Sequence, residues 1–367
     1  MLDGEAVTRP PLSPSGRRVE PGDDGEREPA PPNATSRHPP NASTRPRPPT
    51  TIPSGSMSLT LLLVQILNGL QFGVILFLVA AGLTLVFGVM DFVNLAHGVQ
   101  YMIGAYLTAT AVAATGNFGL GLALGLAAAL VLGLVMEVVL FRHLTRRDHL
   151  EQVLATFGVI LVATDGVKMI FGPAPIALGV PAALSGSVVL MPGLLYPVWR
   201  LAIIASGLFV AFLLWFLITR TRIGMLVRAG STHPEMVSAL GVDIDRLFLF
   251  VFAFGAMLAG FSGAMAGPIL SVEPHMGDAV LILAFVVIVI GGIGSVRGAL
   301  VASLIVGLVD TLGRAFATDL LRLVVDRSAA AQAGPAIASM AIYLFMAAVL
   351  IFKPSGLFTG ERATWTK

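Results

Sequence analysis

The chain contains no cysteine, which excludes disulfides, thiolate metal sites and cysteine nucleophiles. Charge is the next scarcity. Only 12% of the 367 residues are Asp, Glu, Lys or Arg, against a soluble norm of roughly 25%, and the mean hydropathy is +0.86. Such a composition cannot cover a water-facing surface and marks a polytopic membrane protein. No Gly-x-x-x-x-Gly-Lys-Ser/Thr phosphate loop occurs, so the chain is not expected to hydrolyse ATP itself. The histidines form no His-x-x-x-His pair or comparable cluster, so no metal site is expected.

What polar character exists is concentrated at one end. Residues 1–56 hold 7 Arg, 7 acidic residues and 13 of the 23 prolines, with almost no large apolar side chains, so a disordered tail is expected there. No apolar run follows a basic start, which excludes a secretory signal. Met57 stands directly before the first apolar stretch. It is the expected initiator, with residues 1–56 an upstream extension, and a genuine unstructured tail is the alternative. The later residues carry 16 basic and 14 acidic side chains, a balance that gives no argument for nucleic-acid binding. The expected organisation is the tail, a transmembrane domain over 57–358 and a short cytoplasmic tail over 359–367.

A hydrocarbon core about 30 Å thick takes roughly 20 apolar residues as a helix. Apolar stretches run at 59–89, 98–115, 119–141, 152–171, 198–219, 247–270, 279–293, 298–316 and 336–352. The fold class is therefore all-α, a bundle of about 8–10 transmembrane helices. The first stretch is too long for one straight crossing and contains Gly69, Gly73, Gly82 and Gly88. A span plus a broken or re-entrant half-helix is expected there, which leaves the side of the N-terminus open. Small residues four apart, as at Gly121 and Gly125 or from Gly255 to Gly263, let helix backbones approach closely in lipid. No internal repeat is evident.

Basic residues in short loops set the orientation. Arg142, Arg146 and Arg147 mark one cytoplasmic loop, and Arg220, Arg222 and Arg228 another. By alternation the 271–277 turn and the 319–332 segment fall outside, and Arg297, Lys353, Arg362 and Lys367 inside. The region 172–197, rich in Gly, Pro and Ser, becomes an external loop that meets whatever arrives from outside.

The cytoplasmic segment from Arg220 to Arg246 is the most informative. Thr232 and Glu235 have capping-box spacing, Pro234 suits a first helical turn and Gly241 a left-handed C-cap, so a two-turn helix is expected between them. Arg228 before it and Asp243, Asp245 and Arg246 after it make a charged platform. A soluble partner can grip such a surface, and an ordinary loop on the headgroups is the plainer reading.

Within the spans, ionisable groups are costly and usually face a cavity or a partner. Asp91, Asn94 and His97 lie three apart and would share a face if helical, Asp165 and Lys168 could pair, and Glu137 is within reach of Arg142; Asp310 is the remaining candidate. Gly291, Gly292, Gly294 and Gly298 superficially match a dinucleotide fingerprint, but Arg297 stands where the third glycine belongs and no βαβ unit surrounds it. This is a tight cytoplasmic turn, with Arg297 as its expected anchor.

Several motifs, in order, resemble the LivH-type permease of branched-chain amino acid ABC importers. They are Gly82 to Val89, Asn94-Leu95-Ala96-His97-Gly98, Tyr101 to Tyr106, Ala239-Leu240-Gly241-Val242-Asp243-Ile244-Asp245-Arg246, Gly291 to Ala299, and Phe352 to Phe358. The resemblance covers nearly everything from Met57 to Phe358. It implies a multi-pass permease subunit of a prokaryotic inner membrane, in contact with membrane lipid and paired with a second, related permease in a heterodimer. Two ABC ATPase subunits would hydrolyse ATP, and a periplasmic or lipid-anchored binding protein would deliver substrate. This chain would be no enzyme and bind no cofactor.

The resemblance makes Arg228, Thr232, Pro234, Glu235, Ala239, Leu240 and Gly241 the ATPase-coupling loop. Asn94, His97, Gly98, Tyr101 and Glu273 become candidates for the translocation path. Val99-Gln100, where relatives often carry an acidic residue, and the charged Glu273-Pro274-His275 are departures, and they keep urea and short amides beside amino acids as substrates. The rival classes are an ion-coupled carrier or channel and a membrane scaffold or enzyme subunit, for which the 220–246 loop would be an anchor only.

Overall fold

The computed structural model describes residues 59–358 except Arg146 and Gly193. The tail through residue 56, the Met57 start and the 359–367 tail lie outside the described residues. Eleven helices follow: α1 Leu59–Met90, α2 His97–Thr115, α3 Phe118–Leu144, α4 His149–Phe171, α5 Val198–Arg220, α6 Arg222–Thr232, α7 Pro234–Ala239, α8 Ile244–Leu270, α9 Met276–Gly291, α10 Val296–Leu321 and α11 Arg327–Phe352. Seven of them (α1, α3, α4, α5, α8, α10 and α11) are long and apolar enough to cross a membrane. The shorter α2 and α9 complete a nine-helix bundle. The one sheet among the described residues is a hairpin of β1 Ser187–Met191 and β2 Leu194–Pro197.

The expected break in the first apolar stretch does not occur, because α1 is one continuous helix of 32 residues, about 48 Å long. Full burial begins only at Gly69, and the turns before it are partly covered, with Asn68 accepting from Tyr196 and Arg200. The glycines are crossing points instead. A Cβ at Gly73 would sit 2.7 Å from the Ser303 carbonyl oxygen, one at Gly82 2.6 Å from that of Gly255, and one at Gly88 2.8 Å from the Gly294 Cα. Lipid offers apolar side chains as good a solvent as another helix does, so backbone approach and close packing hold the bundle together. The expected small-residue contacts behave the same way: Gly104 meets Gly260, Gly121 meets Val112, and Gly133 meets Ala253 and Ala256.

The helices alternate in direction. Lys168, Arg200, Arg314, Arg322 and Arg327 lie toward one end, and most of the basic residues, from Arg142 and Arg147 to Arg297 and Lys353, fall at the other. Gly88 against Gly294, and Leu85 beside Ile218, Val227 and Phe254, bring the C-terminal end of α1 to that same end. The start of α1 therefore lies at the opposite, external end.

Although the residues do not repeat, the architecture does. In each half a long helix (α1 or α8) ends in a non-helical break entered through a residue of positive φ, Asp91 at 53° or Ser271 at 65°. A fully buried apolar anchor follows, Phe92 or Val272, and then a shorter helix (α2 or α9) with a glycine in its first turn, Gly98 or Gly277. The two glycines meet, each so close that a Cβ would strike the other's carbonyl oxygen, at 2.6 Å from Gly98 and 2.1 Å from Gly277. The long helices cross antiparallel: Gly82 abuts Gly255, and Ser262 Oγ donates to the Ile75 carbonyl at 2.8 Å. Because the single crossing α5 separates the halves, the second runs inverted. The expectation of no internal repeat is thereby corrected.

Candidate coupling site and buried polar centre

At the basic end, α6 folds back on the end of α5 through Gly224, where a Cβ would lie 2.3 Å from the carbonyl oxygens of Leu217 and Ile218. Those carbonyls belong to the last turn of α5 and have no helical partner of their own. Thr221 Oγ1 donates to Leu217 at 2.5 Å, and the Arg228 guanidinium donates to Ile218. Arg228 is therefore tied into the platform, its charge matching the negative end of the α5 dipole.

Thr232 does not cap the next helix. It is the last residue of α6, and its hydroxyl donates back to the Arg228 carbonyl at 3.0 Å, so the expected capping box with Glu235 does not form. His233 stands at the N-cap position without a side-chain bond, and Pro234 opens α7. The C-terminal end is as expected. Gly241 has φ of 87°, its N–H donates to Ser238 at 2.9 Å, and the Val242 N–H donates to Val237 at 3.3 Å, a Schellman closure. Val237 is buried, whereas Met236 is 63% and Leu240 79% exposed, with Glu235 and Ala239 exposed beside them. Asp243 then caps α8, accepting from Arg246 N at 3.1 Å and pairing with the Arg246 guanidinium at 2.8 Å. A short, well-closed helix thus presents two apolar side chains and one carboxylate on a rigid base.

This base is linked to the first break. Phe92 packs edge-on against Phe141, with ring centroids 5.1 Å apart, and Phe141 against Phe252 of α8 at 4.7 Å. Phe141 closes a π-helical segment, Glu137–Phe141, within α3. Buried Glu137 opens that segment and pairs with Arg142 at 3.5 Å. Gln152 of α4 accepts from Val93 N at 3.3 Å and donates to the Arg147 carbonyl at 3.0 Å. Sequence reasoning missed Phe92, Phe141 and Gln152; the only signal was their place beside an interrupted span.

The path candidates separate into two groups. Asn94, His97 and Tyr101 are fully buried, with His97 Nε2 3.1 Å from the Val79 carbonyl oxygen. Gly82 makes room for that ring, since a Cβ there would lie 3.0 Å from it. The Asn94 amide and the Tyr101 hydroxyl have no protein partner. Residues 91–96 are not helical, so Asp91, Asn94 and His97 share no helix face. Glu273 instead lies exposed in the second break. That break is held by a two-bond bridge between Val272 and Ile176, at 2.9 and 2.7 Å, and by His275 Nδ1 3.0 Å from Asp278 Oδ2. The expected Asp165–Lys168 pair forms at 3.3 Å, and Asp310 pairs with Arg314 at 2.8 Å.

Gly292 and Gly294, with φ of 99° and 80°, form the predicted turn, and Gly291 meets Gly298 across it. Ser295 rather than Arg297 fastens it: its Oγ accepts from Gly298 N at 3.0 Å, while Arg297 is exposed. The last described residues return here, with Leu357 N donating to Ile290 at 2.7 Å and Phe358 N to Gly291 at 3.1 Å.

Interrupted, inverted helix sets around a buried polar centre, with a presented helix at the basic end, define a polytopic membrane permease. Residues 65–352 match the family model described as branched-chain amino acid transport system / permease component. The chain belongs to that family. It is 29% identical over 274 residues to the high-affinity branched-chain amino acid transport system permease protein LivH of Escherichia coli, covering 69% of this chain and 86% of the relative. It is also 29% identical over 265 residues to the corresponding protein BraD of Pseudomonas aeruginosa, covering 68% and 86%. A probable LivH of Methanocaldococcus jannaschii is 25% identical over 254 residues, covering 65% and 76%. No solved structure matches the chain. The protein is a multi-pass inner-membrane permease subunit of an importer, a transport component rather than a catalytic enzyme, and it works with the other components of that system.

Proposed function

We propose that this chain forms one half of the translocation unit of an ATP-driven importer for branched-chain or similar small amino acids. It pairs with a second, related permease and receives substrate from a binding protein at the external end. It carries no phosphate loop; two ATPase subunits at the basic end hydrolyse the ATP. The observation that carries this reading is α7. Its Schellman closure at Gly241 and the Arg228 cap on α5 hold Met236, Leu240 and Glu235 outward, as a knob suited to an ATPase groove. Force applied there reaches α8 through Asp243 and the first break through Phe252, Phe141 and Phe92. The buried Asn94, His97, Gly98 and Tyr101, with the exposed Glu273, are the groups we assign to the path, and differential stabilisation of two arrangements of these elements gives alternating access.

The test is gentle extraction with a C-terminal tag, identification of what copurifies, and uptake of labelled leucine by the reconstituted assembly. Copurifying phosphate-loop ATPases and ATP-dependent leucine uptake support the reading. Recovery of the chain alone from every detergent overturns it. Uptake of urea or a short amide in place of leucine would favour the second reading, which rests on Val99-Gln100 and Glu273.

A further inference from the structure

The external hairpin has a composition that a water-exposed loop does not normally carry. From Gly172 to Pro197 the chain has no Asp, Glu, Lys, Arg or His. In a strand, consecutive side chains point to opposite faces, yet Val188, Val189, Leu190 and Met191 follow one another and all are exposed, with Leu195 exposed on the partner strand. β1 is therefore apolar on both of its faces, whereas β2 turns Leu194 and Tyr196 inward against the protein. The outward face carries Val189 beside Leu195, paired across the ribbon, and a partner recognised by charge would find none there. Lipid can cover that face and the outer strand.

The depth is set by how the base is tied down. Tyr196 is buried and donates to Asn68 of α1 at 3.2 Å, the Val198 N–H donates to the Gly186 carbonyl at 2.9 Å, and Trp199 packs edge-on against Phe118, the first residue of α3, at 5.1 Å. The base thus sits level with the external ends of α3 and α5. Two strands alone leave both outer edges with unpaired backbone groups, which hydrocarbon would not tolerate but the interfacial zone can hydrate.

We infer that the Ser187–Pro197 ribbon is a membrane-surface anchor. It lies in the boundary between headgroups and acyl chains of the outer leaflet, with its outward face, Val189 and Leu195, against lipid. It ties the external end of the permease to the bilayer beside the 271–275 break, which the same loop holds through Ile176. The occupant is a lipid surface and not a protein.

The absence of native cysteine makes the test direct. Val189→Cys and Leu195→Cys, one on each strand, are labelled with an environment-sensitive dye in the full chain in nanodiscs. Ser238→Cys serves as a water reference and Phe209→Cys, on the outward face of α5, as a lipid reference. Phospholipid brominated high on the acyl chain should cut emission at both ribbon sites by about half, as expected for side chains at the headgroup–acyl boundary, while aqueous iodide quenches them less than the residue 238 label. Strong iodide quenching with no bromolipid effect would overturn the inference by placing the ribbon in water. Shielding from both quenchers, in the chain alone or only after binding protein or second permease is added, would overturn it by showing a protein occupant. Agreement between two sites on separate strands guards against local misfolding at either.

Discussion

The breaks before α2 and α9 are built to one plan but placed in different surroundings. The first, Asp91–Ala96, exposes Asp91 but buries Phe92, Asn94 and Ala96, and its ties run to α3 and α4, and through Phe141 to α8, at the basic end. The second, Ser271–His275, keeps Val272 buried but exposes Glu273 and His275, and its ties run to the external loop through Ile176. An inverted pair thus has one member tied to the basic end and the other to the external loop. The glycines at Gly98 and Gly277, where the following helices touch, are the point at which movement of either break must be felt by the other.

Enlarging that junction should have the largest effect. Gly98→Leu or Gly277→Leu drives a side chain into the facing backbone and should cost about 3 kcal/mol each, read as a lowered melting temperature of the detergent-solubilised protein. Similar costs at both sites would support the paired plan, whereas a cost at one site alone would break it. Next come the anchors. Phe92→Ala should cost roughly 3–5 kcal/mol, and Val272→Ala, which removes two methyl groups, about 2 kcal/mol. If transport is restored to Val272→Ala by cooling but remains lost in Phe92→Ala, only the first break is tied to the basic end; equal recovery would remove that distinction.

Gly241→Ala forces a side chain into the left-handed region and should cost about 1–2 kcal/mol. With α7 as the proposed ATPase knob, ATP-dependent uptake should fall more than stability does; loss of stability and uptake in proportion would make it a structural cap only. The smallest effect is expected at the exposed pair that joins the second break to the first turn of α9. Asp278→Asn removes a partner of His275 that is largely solvent-screened, and the melting temperature should move by no more than the equivalent of about 0.5 kcal/mol. A larger drop would mean that this break is as internal as the first.

Much was legible because it depends on local chemistry. Length and hydropathy locate the spans, since the bilayer accepts only runs of sufficient apolar length. The left-handed cap at Gly241 and the glycine turn at 291–298 were readable because few residues other than glycine accept positive φ. The capping box was misread, since a hydroxyl at residue 232 serves a helix start or the preceding helix's own carbonyl equally well, and the continuation of α6 to Thr232 decides between them. The glycines of α1 were misread for a similar reason. A glycine in an apolar helix permits either a break or a crossing, and only the neighbour across from it, Ser303 or Gly255, selects the crossing.

The sequence by itself determined that this is a bundle of membrane helices with its basic end inside, a presented short helix there and a charge-free external loop. These follow from burial free energies and backbone preferences that each segment carries alone. Only the tertiary structure decided that α1 is unbroken, that the two halves are inverted copies of one plan, and that Asn94 and His97 lie sealed between helices while Glu273 stands open. Those outcomes depend on which backbones approach one another, and close approach in lipid is a property of pairs of helices rather than of either one.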